Sequence, residues 1–361
     1  MSDRRFWLGF NLVSGIGPVR FRNLLNHFGS AEAAWRANAR DLAISGLDAR
    51  TIESIVLTRD RLDLEREAAR VESAGAVIVT LLDRQYPPLL KQLPDAPPVL
   101  YVRGTLLPGD ELSIAVVGTR RASTYGRQVC EKLVSEIAGR GVTVVSGMAR
   151  GIDAIAHRVA LAAGGRTIAV IGCGIDVVYP PEHASLARDI VTNGAIVSEY
   201  GLGIPPDSGN FPARNRIISG MTRSTLVVEA GETSGALITA NFAVEQGRDV
   251  LAVPGSILAD GCIGTNRLIQ QGAKLVQTVN DIFDELNVAT VGQQLEFRLV
   301  APEDPVERSI LQLLSGEPSH VDEIVRQLGL PVATVSGGLA MLELKGMARQ
   351  VGGMNYISTG R

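Results

Sequence analysis

Between residues 114 and 253 a short apolar segment recurs six times, each time closed by glycine or small residues and followed by a helical stretch. The segments are Ile114 to Val117, Val142 to Val145, Thr167 to Ile171, Ala195 to Ser198, Thr225 to Val228 and Val250 to Val253. A strand that is apolar on both faces is covered on both, and strands that alternate with helices pair in parallel. The chain is therefore expected to be an α/β protein built around a parallel sheet that runs to about Leu286.

The 361 residues fit two or three domains. Residues 1–80 read as short helices, because Leu8, Leu12, Phe21, Leu24, Leu25 and Phe28 recur at helical spacing around Gly15-Ile16-Gly17-Pro18. A proline-rich bridge, Tyr86-Pro87-Pro88 to Pro97-Pro98, cannot be helix interior and leads into a central domain over 81–287. Residues 288–304 read as a linker. Beyond it, 305–361 read as a winged helix: helices over Pro305 to Leu314, His320 to Leu328 and Val332 to Lys345, then a hairpin from Ala348 to Ile357 turning at Gly352-Gly353.

Composition narrows the function. With 35 basic and 38 acidic residues the net charge is −3, so a polyanion must be met by locally focused charge and a globally basic DNA-coating protein is excluded. Three cysteines without a C-x-x-C pair offer neither a disulfide framework nor a zinc site. No apolar run approaches the 18 residues of a membrane helix and no cleavable leader is evident, so the expectation is a cytoplasmic protein without membrane insertion.

In a parallel sheet, ligands bind at the carboxyl ends of the strands. The connections there are Gly118-Thr119-Arg120-Arg121, Ser146-Gly147-Met148-Ala149-Arg150-Gly151-Ile152-Asp153, Gly172-Cys173-Gly174, Phe211-Pro212-Ala213-Arg214-Asn215-Arg216 and Glu229 to Ser234-Gly235. Glycine turns bring backbone N–H groups and helix N-termini to an anion, and arginine forks add paired donors for phosphate oxygens. The dinucleotide motif G-x-G-x-x-G and the Walker motif are both absent, which leaves hydride transfer and P-loop hydrolysis unsupported. Asp153 and His157 share a helix face, but a structural role, holding the loop arginines, fits them better than acid/base catalysis; Glu229 reads as a brace. His27, His183 and His320 are isolated, with no metal-ligand cluster around them. Tyr125, Tyr179 and Phe211 lie beside the loops, as aromatic neighbours of a single-strand binder would.

These stretches are similar to the DNA-processing protein A family (DprA, also called Smf) over nearly the whole chain. Its marks are Val116-Val117-Gly118-Thr119-Arg120, the 146–153 loop with Ala156-His157, Phe211 to Ser219, Ser234 to Ala240, Val253-Pro254-Gly255 and Gly264 to Ala273. The resemblance implies a sterile-alpha-motif-like helical domain, an extended Rossmann-like domain that binds single-stranded DNA, homodimerisation through that domain, and protection of incoming strands with loading of RecA recombinase in natural transformation. It brings no cofactor and no catalytic role. Carried over by position, it points to Arg120, Ser146, Gly147, Arg150, Arg214, Asn215 and Arg216.

Two alternatives come from other classes. Lysine-decarboxylase-like enzymes that cleave nucleoside monophosphates share similar glycine loops, but here Glu229-Ala230-Gly231-Glu232-Thr233 replaces their P-G-G-x-G-T-x-x-E and the catalytic glutamate is missing. A duplex-reading transcription regulator is poorly served by the winged helix. Residues 305–361 carry five acidic and five basic residues, and the third helix offers Thr334, Ser336, Glu343 and Lys345 but no arginine. A protein contact or structural role suits that domain better. Gly15-Ile16-Gly17-Pro18 resembles a helix-hairpin-helix turn, but eleven basic against ten acidic residues over 1–80 favour packing or assembly there at least as well as DNA contact.

Overall fold

Nine strands build one sheet: β1 (Val77–Thr80), β2 (Val99–Gly104), β3 (Ser113–Val117), β4 (Thr143–Ser146), β5 (Thr167–Val170), β6 (Gly194–Ser198), β7 (Ser224–Val227), β8 (Asp249–Ala252) and β9 (Lys274–Leu275). They are seen in a computed structural model that describes residues 4–286, 304–314, 318–344 and 347–358. The spatial order is β1-β2-β6-β5-β4-β3-β7-β8-β9. From β6 to β9 every pairing is parallel, whereas β2 runs antiparallel to both β1 and β6. The six strands expected from the sequence are β3 to β8, each within a residue or so of its expected limits.

Two antiparallel strands fall where none is expected. Val77–Thr80 closes the region that reads as helical, but its unbroken β-branched run follows the left-handed Gly75 (φ +69) and suits a pleated edge better than a helix turn. Val99–Gly104 emerges directly from Pro98 at the end of the proline-rich bridge.

From the central β3, the chain steps through β4, β5 and β6 to one side, then crosses back to place β7, β8 and β9 on the other. Right-handed crossovers stepping in opposite directions put their helices on opposite faces. On one face, Ala154, Leu186 and Ile190 share a core with Trp7, Phe10, Phe21 and Leu24 of the N-terminal helices. On the other, Ile217, Ile218, Ala236 and Ala240 pack with Tyr86, Leu90 and Leu93. Ser30, Asn38, Asp48 and Asp63 each cap an N-terminal helix by accepting a backbone N–H, which is why that region breaks into short helices.

The compact units are Met1–Leu286 and Asn287–Arg361. In the second, helices Pro305–Leu313, Val321–Leu328 and Val332–Leu344 enclose Ile310, Ile324, Val335, Leu339 and Leu342 beside a small sheet of β10 (Ser319–His320), β11 (Ala348–Gly352) and β12 (Asn355–Ser358). The hairpin turns at Gly353-Met354 rather than Gly352-Gly353. Both turn residues have positive φ (56° and 60°), and the pairing between β11 and β12 shifts register between Gln350 and Gly352. Lys345 and the expected linker lie outside the described residues, apart from Asp304, which caps the helix Pro305–Leu313 by accepting the Val306 N–H at 2.7 Å. The exposed side of Val332–Leu344 carries Val332, Ala333, Thr334, Gly337, Ala340, Met341 and Glu343, with no cation. No single helix among the described residues is long and apolar enough to cross a membrane.

Candidate functional site

The chain reverses its direction of travel across the sheet between β3 and β7, and a cleft of about 730 Å³ opens at their carboxyl ends, where ligands of such sheets bind. Its wall after β3 is Gly118, Thr119, Arg120 and Arg121; its wall after β7 is Gly231, Thr233, Ser234 and Gly235. Phe211, Arg214 and Asn215 enter from the helix Asn210–Gly220. Backbone bonds tie the two walls together: the Thr119 N–H donates to Glu229 O at 2.7 Å, and the Ile152 N–H to Thr119 O at 3.2 Å. Gly151 is obligatory at this crossing. Its φ is +75°, and a Cβ there would lie 2.2 Å from Thr119 O.

Arg120 and Arg121 are exposed, and among the described residues neither has a carboxylate within ion-pairing distance. The Arg120 guanidinium carbon lies over the Phe211 ring at 5.5 Å. Phe211 stacks in turn on Tyr179, with centroids 5.5 Å apart and planes inclined by 29°. A cation and two aromatic rings thus form a continuous row at the cleft mouth.

Arg214 belongs to the floor. It is 4% exposed, and its Nη1 donates to Gly147 O at 2.8 Å and also to Val170 O. Asp153 is buried beside it; burial raises the carboxyl pKa above its ordinary value and the nearby Arg214 charge opposes the rise. A Cβ on Gly147 would come within 2.6 Å of the Arg214 guanidinium and 2.7 Å of the Asp153 carboxylate, so only glycine lets the pair close.

The remaining expected residues divide. Arg150 is exposed and lines a smaller hollow beside the cleft, where Arg120, Gly147, Gly172, Tyr179 and Phe211 also meet; its Nε donates to Glu182 at 2.6 Å. Gly172 leaves room for the Phe211 ring, 3.0 Å from where its Cβ would be. Gly174 packs by Asp176 and Gly201 and lines neither hollow. Ser146 is fully buried and donates to Val116 O at 2.6 Å. Arg216 lines neither hollow: it pairs with Glu199 and Asp95, and its Nη1 donates to Asp95 O at 2.9 Å. Asn215, next to it on the helix, lines the cleft instead.

Glu229 is 4% exposed and accepts the Ser123 N–H at 2.9 Å, which braces the start of the helix Thr124–Gly139. His157 is fully buried with its Nδ1 2.7 Å from Thr167 Oγ1, and burial pushes its pKa down to about 3. It neither reaches the cleft nor carries charge at neutral pH. Among the described residues, no group of three or more His, Cys, Asp or Glu could hold a metal ion. Ser208, Thr233 and Thr239 also line the cleft. Thr239 lay within a stretch already marked by the family pattern, whereas nothing in the sequence singled out Ser208.

A largely parallel sheet with an arginine-rimmed cleft at its switch point, on a chain that also carries a winged-helix unit, defines a Rossmann-like α/β protein with a basic cleft. The chain belongs to the DNA recombination-mediator protein A family, whose model matches residues 77–287, and residues 298–354 match the DprA winged helix domain. Protein Smf of Synechocystis sp. is 36% identical over 392 residues, covering 98% of each chain. Protein Smf of Escherichia coli is 38% identical over 98% of this chain and 95% of its own. The X-ray structure of DNA processing protein A from Streptococcus pneumoniae superposes with a TM-score of 0.68 at 36% identity, covering 78% of this chain and 97% of that one. A structure describing the single-stranded DNA binding mode of DNA processing protein A from Helicobacter pylori gives 0.53 at 29% identity, covering 61% and 98%.

Proposed function

We propose that this protein binds single-stranded DNA without catalysing a reaction, gripping the strand at the switch-point cleft with little reading of sequence. One observation carries the reading: Arg120 stands at the cleft mouth with no carboxylate partner among the described residues and with its guanidinium against Phe211. Phosphates neutralise such a cation, and exposed bases stack on such rings. Family membership and the DNA-binding Helicobacter pylori relative support the same reading.

Within it, Arg120, Arg121, Arg150, Phe211, Asn215, Ser234, Gly235 and the loop amides of Gly118, Thr119 and Gly172 contact the strand. Ser146, Gly147, Gly174, Arg214 and Arg216 hold the framework. The proposal extends to protection of incoming strands, loading of RecA recombinase during DNA uptake, a homodimer through the central domain, and cytoplasmic residence. It also keeps the division into an N-terminal helical region, a central domain to 287, a 288–304 linker and 305–361, with the first boundary moved from 80 to about residue 76 because β1 belongs to the central sheet.

The test is fluorescence anisotropy with single-stranded and duplex oligonucleotides across salt. Tighter binding of the single strand, weakening linearly in log salt, is expected. Equal affinity for both forms, or release of free base from nucleoside monophosphates, would overturn the reading.

A further inference from the structure

Among the described residues, the two most exposed large hydrophobic side chains, Ile257 (89%) and Leu258 (91%), are neighbours at the tip of the loop that follows β8. The loop's stem is held at several points. Tyr125 Oη donates to Pro254 O at 2.7 Å, and the Asn266 amide brackets Gly255 through two bonds of 3.1 Å. Ser256 accepts the Leu258 N–H on its hydroxyl at 3.2 Å and the Ala259 N–H on its carbonyl at 3.1 Å. A Cβ on Gly255 would sit 2.2 Å from Cys262 Sγ, so the stem also packs without slack. Branched apolar side chains presented on a fixed stem mark a contact surface.

The position of the tip indicates its occupant. Asp260, on the same loop, lies against the cleft-lining Gly231, its carbonyl 3.3 Å from where a Cβ would be. Tyr125, 44% exposed, lies two residues beyond the Arg121-Ala122-Ser123 turn and touches the loop through Pro254. Tyr125, Ile257 and Leu258 line neither hollow themselves, but the loop that carries the aliphatic pair abuts the cleft wall at Gly231. Residues 253–262 contain no Lys or Arg, and the neighbouring Arg267 is tied to Glu232 at 2.6 Å. The loop tip itself therefore offers apolar side chains and no cation, which suits the faces of unstacked bases better than phosphates.

We propose that Tyr125, Ile257 and Leu258 form a nucleobase-docking surface, with the aliphatic pair wedged between bases of the strand whose backbone the cleft holds. The inference rests on the single-strand reading above. Apolar wedges of Ile and Leu are an established way of engaging unstacked bases, and the energy involved is independent of phosphate neutralisation.

The experiment compares the full chain with an Ile257→Ser/Leu258→Ser double variant, by anisotropy, on an ordinary oligonucleotide and on an abasic one of equal length. Because both side chains project into solvent, an unchanged melting temperature is expected. The variant should bind the ordinary strand about tenfold more weakly with an unchanged salt slope, and should match the unsubstituted protein on the abasic strand. Equal losses on both strands, no loss on either, or a change in sedimentation of the DNA-free protein that identifies the tip as a contact between copies would overturn the inference. If the unsubstituted protein binds neither strand, the reading of the cleft falls with it. If it binds and the variant matches it, only the wedge falls.

Discussion

The guanidinium of Arg120 rests on the face of Phe211, 5.5 Å from the ring centre, although the two side chains come from connections about 90 positions apart in the chain. The contact sets a cation against a ring at the cleft, and the two should be separable by substitution. Arg120→Ala is expected to weaken single-strand binding about tenfold on every sequence and to lower the salt slope by about one. Phe211→Leu keeps the charge and should lower affinity with the slope intact. Titrations at four salt concentrations distinguish the two; identical slopes for both variants would remove Arg120 from the phosphate path.

Arg150 and Glu182 form an exposed pair in which a single nitrogen, Nε, makes the hydrogen bond. Exposed pairs of this kind contribute little to stability and exchange partners readily. If Arg150 meets the strand as proposed, a carboxylate this close to it competes with phosphate. Glu182→Gln should tighten single-strand binding by about threefold at low salt, an advantage that fades as salt screens both partners. Weaker binding would mean that Glu182 orients Arg150 instead.

The sheet was legible because β3 to β8 are apolar on both faces, and a doubly buried strand leaves that mark in sequence whatever surrounds it. β1 and β2 were not, although Val99–Val102 is as buried as the other strands: β1 closes a stretch that reads as helical, and β2 leaves directly from the prolines of the bridge, which mask it. The loops of the site were legible as loops, through glycine and arginine. What the residue types could not reveal is which arginine faces outward. Arg214 and Arg216 stand two apart on one helix, so their directions differ by about half a turn. Arg214 turns in to carbonyls of β5 and the β4 loop, and Arg216 turns to Glu199 and Asp95 on the far side.

That difference makes Arg216 a test of fold against binding. Glu199 is held above the ordinary carboxylate range by burial, with Arg216 as its opposing charge. Arg216→Met leaves this carboxylate buried without its cation and should cost about 3 kcal/mol of stability, read as a lower midpoint in urea. Adding Glu199→Gln should recover most of the loss. At temperatures where it remains folded, the variant should bind single strands as the unsubstituted protein does; a lost salt slope would return Arg216 to the cleft.

Stability should also fall on mild acidification, through His157. The Thr167 hydroxyl donates to Val144 O at 2.7 Å, so at 2.7 Å from His157 it accepts the Nδ1 proton, and Nε2 is left buried with no hydrogen-bond partner. Protonation would create an unpaired N–H and a charge in a dry site, and burial, reinforced by His183 and Arg214, holds the pKa down at about 3 against an ordinary 6.5. The unfolded chain takes up this proton as the pH drops through 6.5, the folded chain only near 3. Across that window the unfolded state binds more protons, so the stabilisation is fully present above 6.5 and declines below it, by about 1.4 kcal/mol per pH unit at most. Asp153, held above its ordinary 3.8 by burial, contributes with the opposite sign, so the comparison with a His157 variant is what separates the two. Urea midpoints at pH 7 and 5.5 isolate the histidine: His157→Gln should lower stability at pH 7 and flatten its fall toward pH 5.5, and a slope matching that of the unsubstituted protein would show that the imidazole titrates normally in the fold.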